Sequence, residues 1–345
     1  MAAKSVILQN QDCTATYTAM GGALVDFRLR PDGVNPLQFR HKEKSKGAKE
    51  VRFNGHFVCL GNWGDPSPGE AARGHVKHGD FNRLEWLSSN KEQQALLSAY
   101  SPLEGLYVER KVELDATEPV LLVSETIQNM HSVGRLYNLV QHPTISAPFL
   151  DAATIVDCNA ANGFDYAFPN LNETVFSSWP AAKTIDGEVM NLSTPDRAYS
   201  SVFSFLVNPA DEWGWVTAYS PSAQTLLGYV WKRSDYPWIA HWLHFEGENL
   251  RYRGLEFGTT GVHQPIQSIW EKGLVNLLGE RTCQFIDTGE AHQRSYLAFL
   301  HHLPKGFQGV QQVQVEDSRL LLTEKKTARI IEITHQLQTD HAIQQ

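Results

Sequence analysis

The feature that most constrains this chain is an alternation of apolar and polar residues with a period of two. Over residues 107–115, Val108 and Leu114 fall on one face of an extended segment, whereas Glu109 and Lys111 fall on the other. The alternation predicts half-buried β-strands, because successive side chains of a strand point to opposite faces. Similar stretches, rich in β-branched and aromatic residues, recur at 120–129, 201–207, 214–219, 226–231, 284–287, 295–300, 312–315 and 328–334.

Helical periodicity, in contrast, is scarce. The best candidate for a helix is 264–278, with Pro265 in its first turn and Ile266, Ile269 and Trp270 at helical spacing. Frequent short strands without alternating helices favour an antiparallel sandwich or barrel over a βαβ fold. The sequence has no linker, internal repeat or shift in composition. It therefore predicts one all-β domain over 1–345, ending in a polar tail at 336–345.

Net charge and hydropathy bear on whether the protein binds nucleic acid or a membrane. The 345 residues carry a formal net charge of −8, which argues against nucleic acid because phosphate binding needs clustered cations. The densest basic run, 41–50, is interleaved with acids, and we expect a solvated loop there. No apolar run approaches the roughly 20 residues that a membrane helix requires. We therefore expect neither a nucleic-acid nor a membrane partner.

The N-terminus and the cysteines bear on the cellular compartment. The first ten residues contain an apolar patch of only three residues, which is unlike a signal peptide. Cys13, Cys59, Cys158 and Cys283 are far apart and form no CxxC pair, so we expect reduced thiols. Both observations favour a cytoplasmic location.

Residues 61–86 combine histidines, aromatic residues and glycine turns. His75 and His78 are three residues apart, Gly79 follows the second histidine, and Trp63 lies just upstream. This combination is typical of a polar site on a loop. Two histidines at this spacing are also common on an ordinary surface, so the stretch alone leaves both interpretations open.

Two later segments contain residues suited to acid–base chemistry. His142 ends a strand-like run directly before Pro143, which predicts a position at the rim of a sheet. Glu256 lies between Leu255 and Phe257, and apolar neighbours can raise a carboxyl pKa toward neutrality. A histidine bonded to a nearby carbonyl and an outward-facing strand glutamate fit the same patterns equally well.

Tryptophan is abundant near these segments, and several catalytic motifs are missing. Four of the nine tryptophans lie in or near them: Trp63, Trp231, Trp238 and Trp242. Flat aromatic faces beside polar donors suit a sugar ring, although a tryptophan-rich sandwich core would look the same. No GxSxG, GxxxxGK[ST] or strand-linked GxGxxG motif occurs, so acyl transfer, P-loop and dinucleotide chemistry lack support.

A zinc site is a further interpretation of the histidines. His75, His78 and His142 would be enough for one, because three histidines suffice for a catalytic zinc centre. The His-x-x-His spacing in a glycine-flanked loop is a weak signal, however, and no HExxH motif is present.

Several motifs follow one another in a recognisable order. They are a Gly-Gly-Ala strand with its turn (20–37), Arg52, His78-Gly79 with Trp86 downstream, Asn138 four residues before His142, Trp242, Leu255-Glu256 and a Gly-Glu pair within 287–300. In this order they resemble the aldose 1-epimerases, or galactose mutarotases, particularly the branch with the hexose-6-phosphate mutarotases. The resemblance covers about residues 15–335. At 52–56 the chain has Arg-Phe-Asn-Gly-His where family members have Arg-Gly-Gly-Ile-Pro.

The resemblance carries implications for fold, cofactor and site. It implies a galactose mutarotase-like β-supersandwich, mostly antiparallel with few short helices, that binds a carbohydrate and needs no metal or organic cofactor. It implies Glu256 as the base and His142 as the acid of anomer interconversion. The residues it suggests for substrate binding are His78, Arg52, His75, Trp63 and Trp242, with Asp157 and Asp165 as candidates for a substrate-binding aspartate.

The leading hypothesis is therefore a cytoplasmic, cofactor-independent mutarotase whose partner is a small sugar. A neutral sugar or a uronic acid is favoured over a phosphorylated one, because no lysine and arginine cluster accompanies the motifs. The sequence leaves monomer and dimer open. Two alternatives remain: a non-catalytic carbohydrate-binding protein of the same fold, and a metal-dependent sugar isomerase or lyase that uses the histidines.

Overall fold

The structure, a computed structural model, describes residues 5–44, 50–171 and 176–338. The strands are β1 (Val6–Gln9), β2 (Cys13–Tyr17), β3 (Leu24–Leu29), β4 (Arg40–Lys44), β5 (Glu50–Asn54), β6 (His56–Gly61), β7 (Leu87–Lys91), β8 (Gln94–Ser101), β9 (Leu106–Leu114), β10 (Val120–Asn129), β11 (Arg135–Ser146), β12 (Ile155–Cys158), β13 (Ala160–Asp165), β14 (Ser177–Ser178), β15 (Ala181–Lys183), β16 (Val189–Asn191), β17 (Ser201–Val207), β18 (Trp213–Ser220), β19 (Thr225–Lys232), β20 (Trp238–Glu246), β21 (Asn249–Gly254), β22 (Glu256–Gly258), β23 (Asn276–Leu277), β24 (Glu280–Arg281), β25 (Gln284–Ile286), β26 (Ala291–His302), β27 (Val310–Glu316), β28 (Arg319–Glu324) and β29 (Ile330–Thr334). The helical segments are α1 (Pro68–Ala72), α2 (Ile266–Glu271) and a 3-10 turn at Phe81–Arg83.

Two large sheets pack face to face. The 14-stranded sheet runs β1-β2-β3-β6-β11-β21-β20-β17-β13-β14-β15-β16, with β22 beside β11 and β20 and with β25 beside β11. The 8-stranded sheet runs β12-β18-β19-β26-β10-β9-β8-β7. A three-stranded sheet (β27-β28-β29) and the hairpins β4-β5 and β23-β24 complete the described part. Neighbouring strands pair antiparallel throughout β6, β11, β20, β21 and β22, which position the site. The predicted all-β, mostly antiparallel sandwich is confirmed.

Every stretch predicted as a strand coincides with or overlaps an observed strand. The helix predicted over 264–278 is right only in its first part. Helix α2 ends at Glu271, because Gly273 adopts a positive φ of 66° and the chain then enters β23. Neither α-helix in the described ranges is long and apolar enough to span a membrane.

The expectation of a loop at 41–50 is wrong for its described residues. His41–Lys44 belong to β4, which pairs with β5, whereas 45–49 lie outside the described residues. Arg40, Lys42 and Lys44 are exposed while His41 and Glu43 are half-buried. A strand that is charged on both faces has no apolar period, and so its sequence looks like that of a loop.

The predicted domain organisation remains a prediction, including the single domain over 1–345 and its polar tail. Of that tail, residues 339–345 lie outside the described residues. All four cysteines carry free thiols, and Cys13, Cys59 and Cys158 are buried as expected. The predicted cytoplasmic location stays a prediction as well.

A buried polar network fixes the strand that carries His142. Between the two sheets, Arg110 Nε donates to Glu125 Oε1 at 2.7 Å, and Gln141 Nε2 donates to Glu125 Oε2 at 2.5 Å. Paired and hydrogen-bonded charges of this kind are expensive to disturb once buried. Because side chains alternate along a strand, holding Gln141 in the core directs His142 to the opposite, outward face of the 14-stranded sheet.

Candidate active site

A pocket with a cavity volume of about 90 Å³ opens on the outward face of the 14-stranded sheet. The pocket is lined by residues of β4, β5, β6, β11, β17, β20 and β22 and by residues of the segments that connect them. Its lining residues are Phe39, His41, Glu43, Phe53, Phe57, Lys77, His78, His142, Val202, Trp242, Glu256 and His263.

Glu256 and His142 meet at the bottom of this pocket. His142 Nε2 lies 3.1 Å from Glu256 Oε1, and both side chains are almost fully buried. Strand β22 is short and lies between β11 and β20, where Val140 faces Gly258 and Ala240 faces Glu256. Residues more than 100 positions apart are thus brought together by strand pairing.

Pro143 does not end the pairing of β11, contrary to the sequence-based expectation. The strand continues to Ser146, and Pro143 faces His56 of β6 inside the sheet. On its other side β11 changes partners here, from β22 at Gln141 to β21 at Thr144. A proline lacks the N–H donor of a regular ladder, and this change of partner makes the missing donor tolerable.

Glu256 is held by a second buried group. Trp63 Nε1 donates to Glu256 Oε2 at 2.9 Å, and the Trp63 side chain is fully buried. Trp63 therefore lies beneath the pocket and orients the carboxyl group, which corrects the expectation that it provides a sugar-stacking face. Gly254 leaves room for the carboxyl group of Glu256, because a Cβ atom at position 254 would come within 2.7 Å of Glu256 Oε1.

His142 is fixed by its ring and by its other nitrogen. The imidazole stacks on Phe57 with ring centroids 4.2 Å apart, and Nδ1 lies 3.0 Å from Thr144 Oγ1. With its proton on Nδ1, the neutral ring turns the lone pair of Nε2 toward Glu256. The ring can then receive a proton only at the atom that faces the carboxyl group.

Burial governs the electrostatics of the pair. It raises the pKa of the Glu256 carboxyl well above its usual value, against the opposing effects of the Trp63 hydrogen bond and the Lys77 charge. Burial also lowers the pKa of the His142 imidazole well below its usual value. Burial thus favours the neutral form of each group, and a proton between Oε1 and Nε2 can be held by either of them.

His78 borders the same space in an unusual backbone conformation. Its φ of 62° lies in the left-handed region, and its Nδ1 accepts a hydrogen bond of 3.2 Å from the Gly64 N–H. Because Nδ1 is an acceptor, the neutral ring carries its proton on Nε2 and can donate it to a ligand. Burial lowers the pKa of His78 well below its usual value, so this neutral form prevails.

Comparison with solved structures identifies the architecture. The Slr1438 protein from Synechocystis superposes with a TM-score of 0.59 at 12% identity, over 88% of this chain and 97% of its own. A galactose mutarotase-like protein from Lactobacillus casei gives 0.56 at 14% identity, over 86% and 100%. A galactose mutarotase related enzyme from Lactobacillus acidophilus gives 0.57 at 9% identity, over 87% and 98%.

The chain has the galactose mutarotase-like fold. No protein-family model and no curated protein matches the sequence. The resemblance in the ordered motifs and the likeness of structure therefore agree on the fold. At 9–14% identity the likeness carries the fold alone.

Two of the predicted site residues are not brought to the pocket of this galactose mutarotase-like fold. Arg52 points outward and pairs with Glu50 at 2.9 Å, because alternation along β5 turns Phe53 inward instead. His75 lies outside the pocket lining, where its Nδ1 is 3.2 Å from the buried carboxyl group of Glu104. The structure thus corrects the placement of both residues.

The two candidate aspartates also lie elsewhere. Asp157 accepts a hydrogen bond of 2.8 Å from the Val310 N–H and pairs with Lys325. Asp165 accepts one of 2.6 Å from the Tyr199 hydroxyl. Both carboxylates are engaged in holding β-strands and loops together, away from the pocket.

Four polar residues of the pocket lining were missed from the sequence: His41, Glu43, Lys77 and His263. His263 follows the Gly-Thr-Thr-Gly turn after Glu256, and its ring lies 5.5 Å from that of His78. Burial lowers the pKa of His263 to about 3. Lys77 extends from the loop and pairs with Glu43 at 3.0 Å. The turn could have signalled the return of His263 to the site, whereas Lys77 carried no signal beyond its closeness to His78.

The histidines do not converge as the zinc interpretation requires. The rings of His78 and His142 are 5.6 Å apart, but His75 is turned toward Glu104. Within the described ranges, no group of three or more histidine, cysteine, aspartate or glutamate side chains is arranged to hold a metal ion. Trp242, by contrast, lines the pocket, with its ring 6.1 Å from that of His142.

Proposed function

We propose that this protein is a mutarotase, an aldose 1-epimerase that interconverts the α and β anomers of a free sugar. The observation that carries the proposal is the buried contact of 3.1 Å between Glu256 Oε1 and His142 Nε2 in the lining of the pocket. The galactose mutarotase-like fold supports the same conclusion. An acid and a base side by side are what the reaction needs.

The reaction is a balanced exchange of protons. With the proton of the pair on His142, Glu256 takes the proton of the anomeric hydroxyl group, and a carbonyl forms at C1. The bond from C1 to the ring oxygen breaks, and His142 donates its proton to that oxygen. Rotation about C1–C2 and the reverse transfers close the ring as the other anomer. No atom is gained or lost.

The short distance between the two groups suits this chemistry. The hydroxyl and ring oxygens of a hemiacetal are bound to the same carbon, so the groups that serve them must be neighbours. Their shared proton can also pass between Oε1 and Nε2, which lets either group act as the acid when the ring closes. His78 Nε2–H and the imidazole of His263 remain to bind other hydroxyl groups of the sugar.

The charges of the pocket favour a neutral aldose. Lys77 is a cationic member of the lining, and its ammonium group already pairs with Glu43. A phosphoryl group would have to displace Glu43 and would still lack the bidentate arginine that suits phosphate. We therefore propose a neutral sugar in preference to a phosphorylated one.

The test is anomer exchange measured by NMR saturation transfer on glucose, galactose, mannose and xylose. Glu256→Gln and His142→Ala are each expected to reduce enzyme-dependent exchange by about a hundred- to ten-thousand-fold, since each removes one acid–base group. Glu332→Gln, an exposed glutamate on β29, is the matched control and retains exchange. If wild type exchanges every sugar no faster than the two variants, the proposal fails.

A second candidate is a sugar-binding protein without catalysis. It is favoured by the composition of the lining, whose described residues include neither an arginine nor an aspartate, although the family resemblance implies one of each. Such a protein would bind a sugar by calorimetry and leave anomer exchange at the rate of the buffer.

A further inference from the structure

Three aromatic rings form a platform on the sheet beside the pocket. Trp242 and His244 lie two residues apart on β20 and so share a face, and Tyr252 of β21 is the direct partner of His244. The ring of Tyr252 lies 6.1 Å from that of Trp242 at an interplanar angle of 27°, and 5.6 Å from that of His244 at 15°. The rings of Trp242 and His244 are 5.6 Å apart and tilted by 37°. The three rings, here called the aromatic platform, therefore form one contiguous cluster.

The platform is continuous with the pocket. Trp242 lines the pocket and faces His142, while Tyr252 lies one ring further out. Tyr252 also contacts two residues of the lining, Phe39 at 4.8 Å and His41 at 6.3 Å between ring centroids. Aromatic rings thus continue from His142 through Trp242 to Tyr252, which lies outside the pocket lining.

The rings of the aromatic platform differ from the core tryptophans in the exposed fraction of their side chains. Trp63, Trp231 and Trp238 are fully buried, as packing alone requires. Trp242, His244 and Tyr252 are each only half-buried although they lie in mid-sheet. Half-exposed flat rings next to imidazole nitrogens match the apolar C–H faces and hydroxyl edges of a pyranose.

We infer that the site takes the reducing end of an oligosaccharide, with the next sugar ring resting on the aromatic platform. The inference rests on the proposed function for the orientation of the bound oligosaccharide, because only the reducing-end ring has the hemiacetal that Glu256 and His142 open. The rest of the glycan must then extend away from the catalytic pair, and the aromatic platform adjoins the pocket through Trp242. The substrate class is a neutral disaccharide or longer reducing oligosaccharide.

The test is isothermal calorimetry with glucose and with three disaccharides that end in a reducing glucose: maltose, cellobiose and lactose. Wild type is expected to bind at least one disaccharide roughly three- to tenfold more tightly than glucose, the usual scale of one aromatic contact. In Tyr252→Ala the ratio of the two affinities falls to about one. Tyr252→Phe keeps the ring and retains most of the preference.

Tyr100→Ala supplies the control, because Tyr100 is an exposed tyrosine on β8 of the other sheet. This variant binds glucose and disaccharide as wild type does. The inference is overturned if no disaccharide binds more tightly than glucose, or if Tyr252→Ala leaves the ratio unchanged. Binding is measured without catalysis, so a protein that prefers disaccharides but exchanges no anomers would refute the mutarotase and not the platform.

Discussion

At the scale of single residues, the proposed base is defined by what surrounds it more than by its own type. Glu256 has a hydrogen-bond donor at one oxygen, Trp63 Nε1, and an imidazole at the other, His142 Nε2. From the sequence, a glutamate between two large apolar residues fits an outward-facing strand position equally well. The donor lies 193 positions away, so no local pattern could reveal it.

Trp63→Phe removes the N–H group that donates to Glu256 Oε2 and keeps an aromatic ring at that position. The Trp63 hydrogen bond favours the ionised carboxylate, so its loss raises the pKa of Glu256 further. Because the reaction needs an ionised base, the acid limb of the rate profile moves to higher pH, and the maximal rate falls roughly tenfold or more. Anomer exchange measured across pH checks this. Trp231→Phe, which loses a buried N–H bond to a backbone carbonyl, leaves the acid limb in place.

Gly254 is predicted to be essential for the position of the carboxyl group. A methyl group there would lie 2.7 Å from Glu256 Oε1 and 3.1 Å from Trp242 Cβ, so Gly254→Ala pushes Glu256 away from His142. Exchange is expected to fall at least tenfold, in line with the sensitivity of catalysis to small displacements. Gly69→Ala is the matched control, since nothing lies within 4 Å of its added carbon. Equal exchange rates in the two variants would contradict the steric argument.

At the scale of elements, the site depends on strands that exchange partners and on one tethered loop. The loop between β6 and β7 carries Trp63 and His78, and it is anchored outside the pocket by Glu104. That buried carboxylate lies 3.2 Å from His75 Nδ1 and 3.1 Å from Arg135 Nη2. His75, expected from the sequence to bind substrate, instead ties the loop to the turn between β8 and β9.

His75→Gln is predicted to lower stability in a pH-dependent way. The hydrogen bond to Glu104 raises the pKa of His75 above its usual value, despite burial and the nearby Arg135, and Glu70 acts in the same direction as Glu104. Because the pKa of His75 is raised in the folded state, the stabilisation of the fold by its contact with Glu104 is complete below about pH 6.5. That stabilisation is lost as the pH rises through the pKa of His75 in the folded protein. Denaturant unfolding at pH 5.5 and pH 9 measures the free energy of unfolding. The control is His302→Gln, since His302 is exposed. A difference between His75→Gln and wild type that grows with pH would contradict the prediction.

At the scale of the whole molecule, periodicity predicted the fold far better than the site. Fully buried residues alternate with less buried ones along β9 and the second half of β10, and the ordered motifs indicated the galactose mutarotase-like sandwich. Alternation also explains why the side chain of Arg52 does not reach the pocket, since Phe53 occupies the inward position of β5. The partner exchange at Pro143 depends on long-range pairing that a single sequence does not encode locally.

The account depends most on Glu256 and His142 acting as one unit, and a double-mutant cycle tests this directly. Anomer exchange is measured for wild type, Glu256→Gln, His142→Ala and the double variant. Groups that share one proton are strongly non-additive, so the double variant is expected to be about as slow as the slower single variant. Rate losses that simply multiply, or single variants that exchange at the wild-type rate, would contradict a shared acid–base pair.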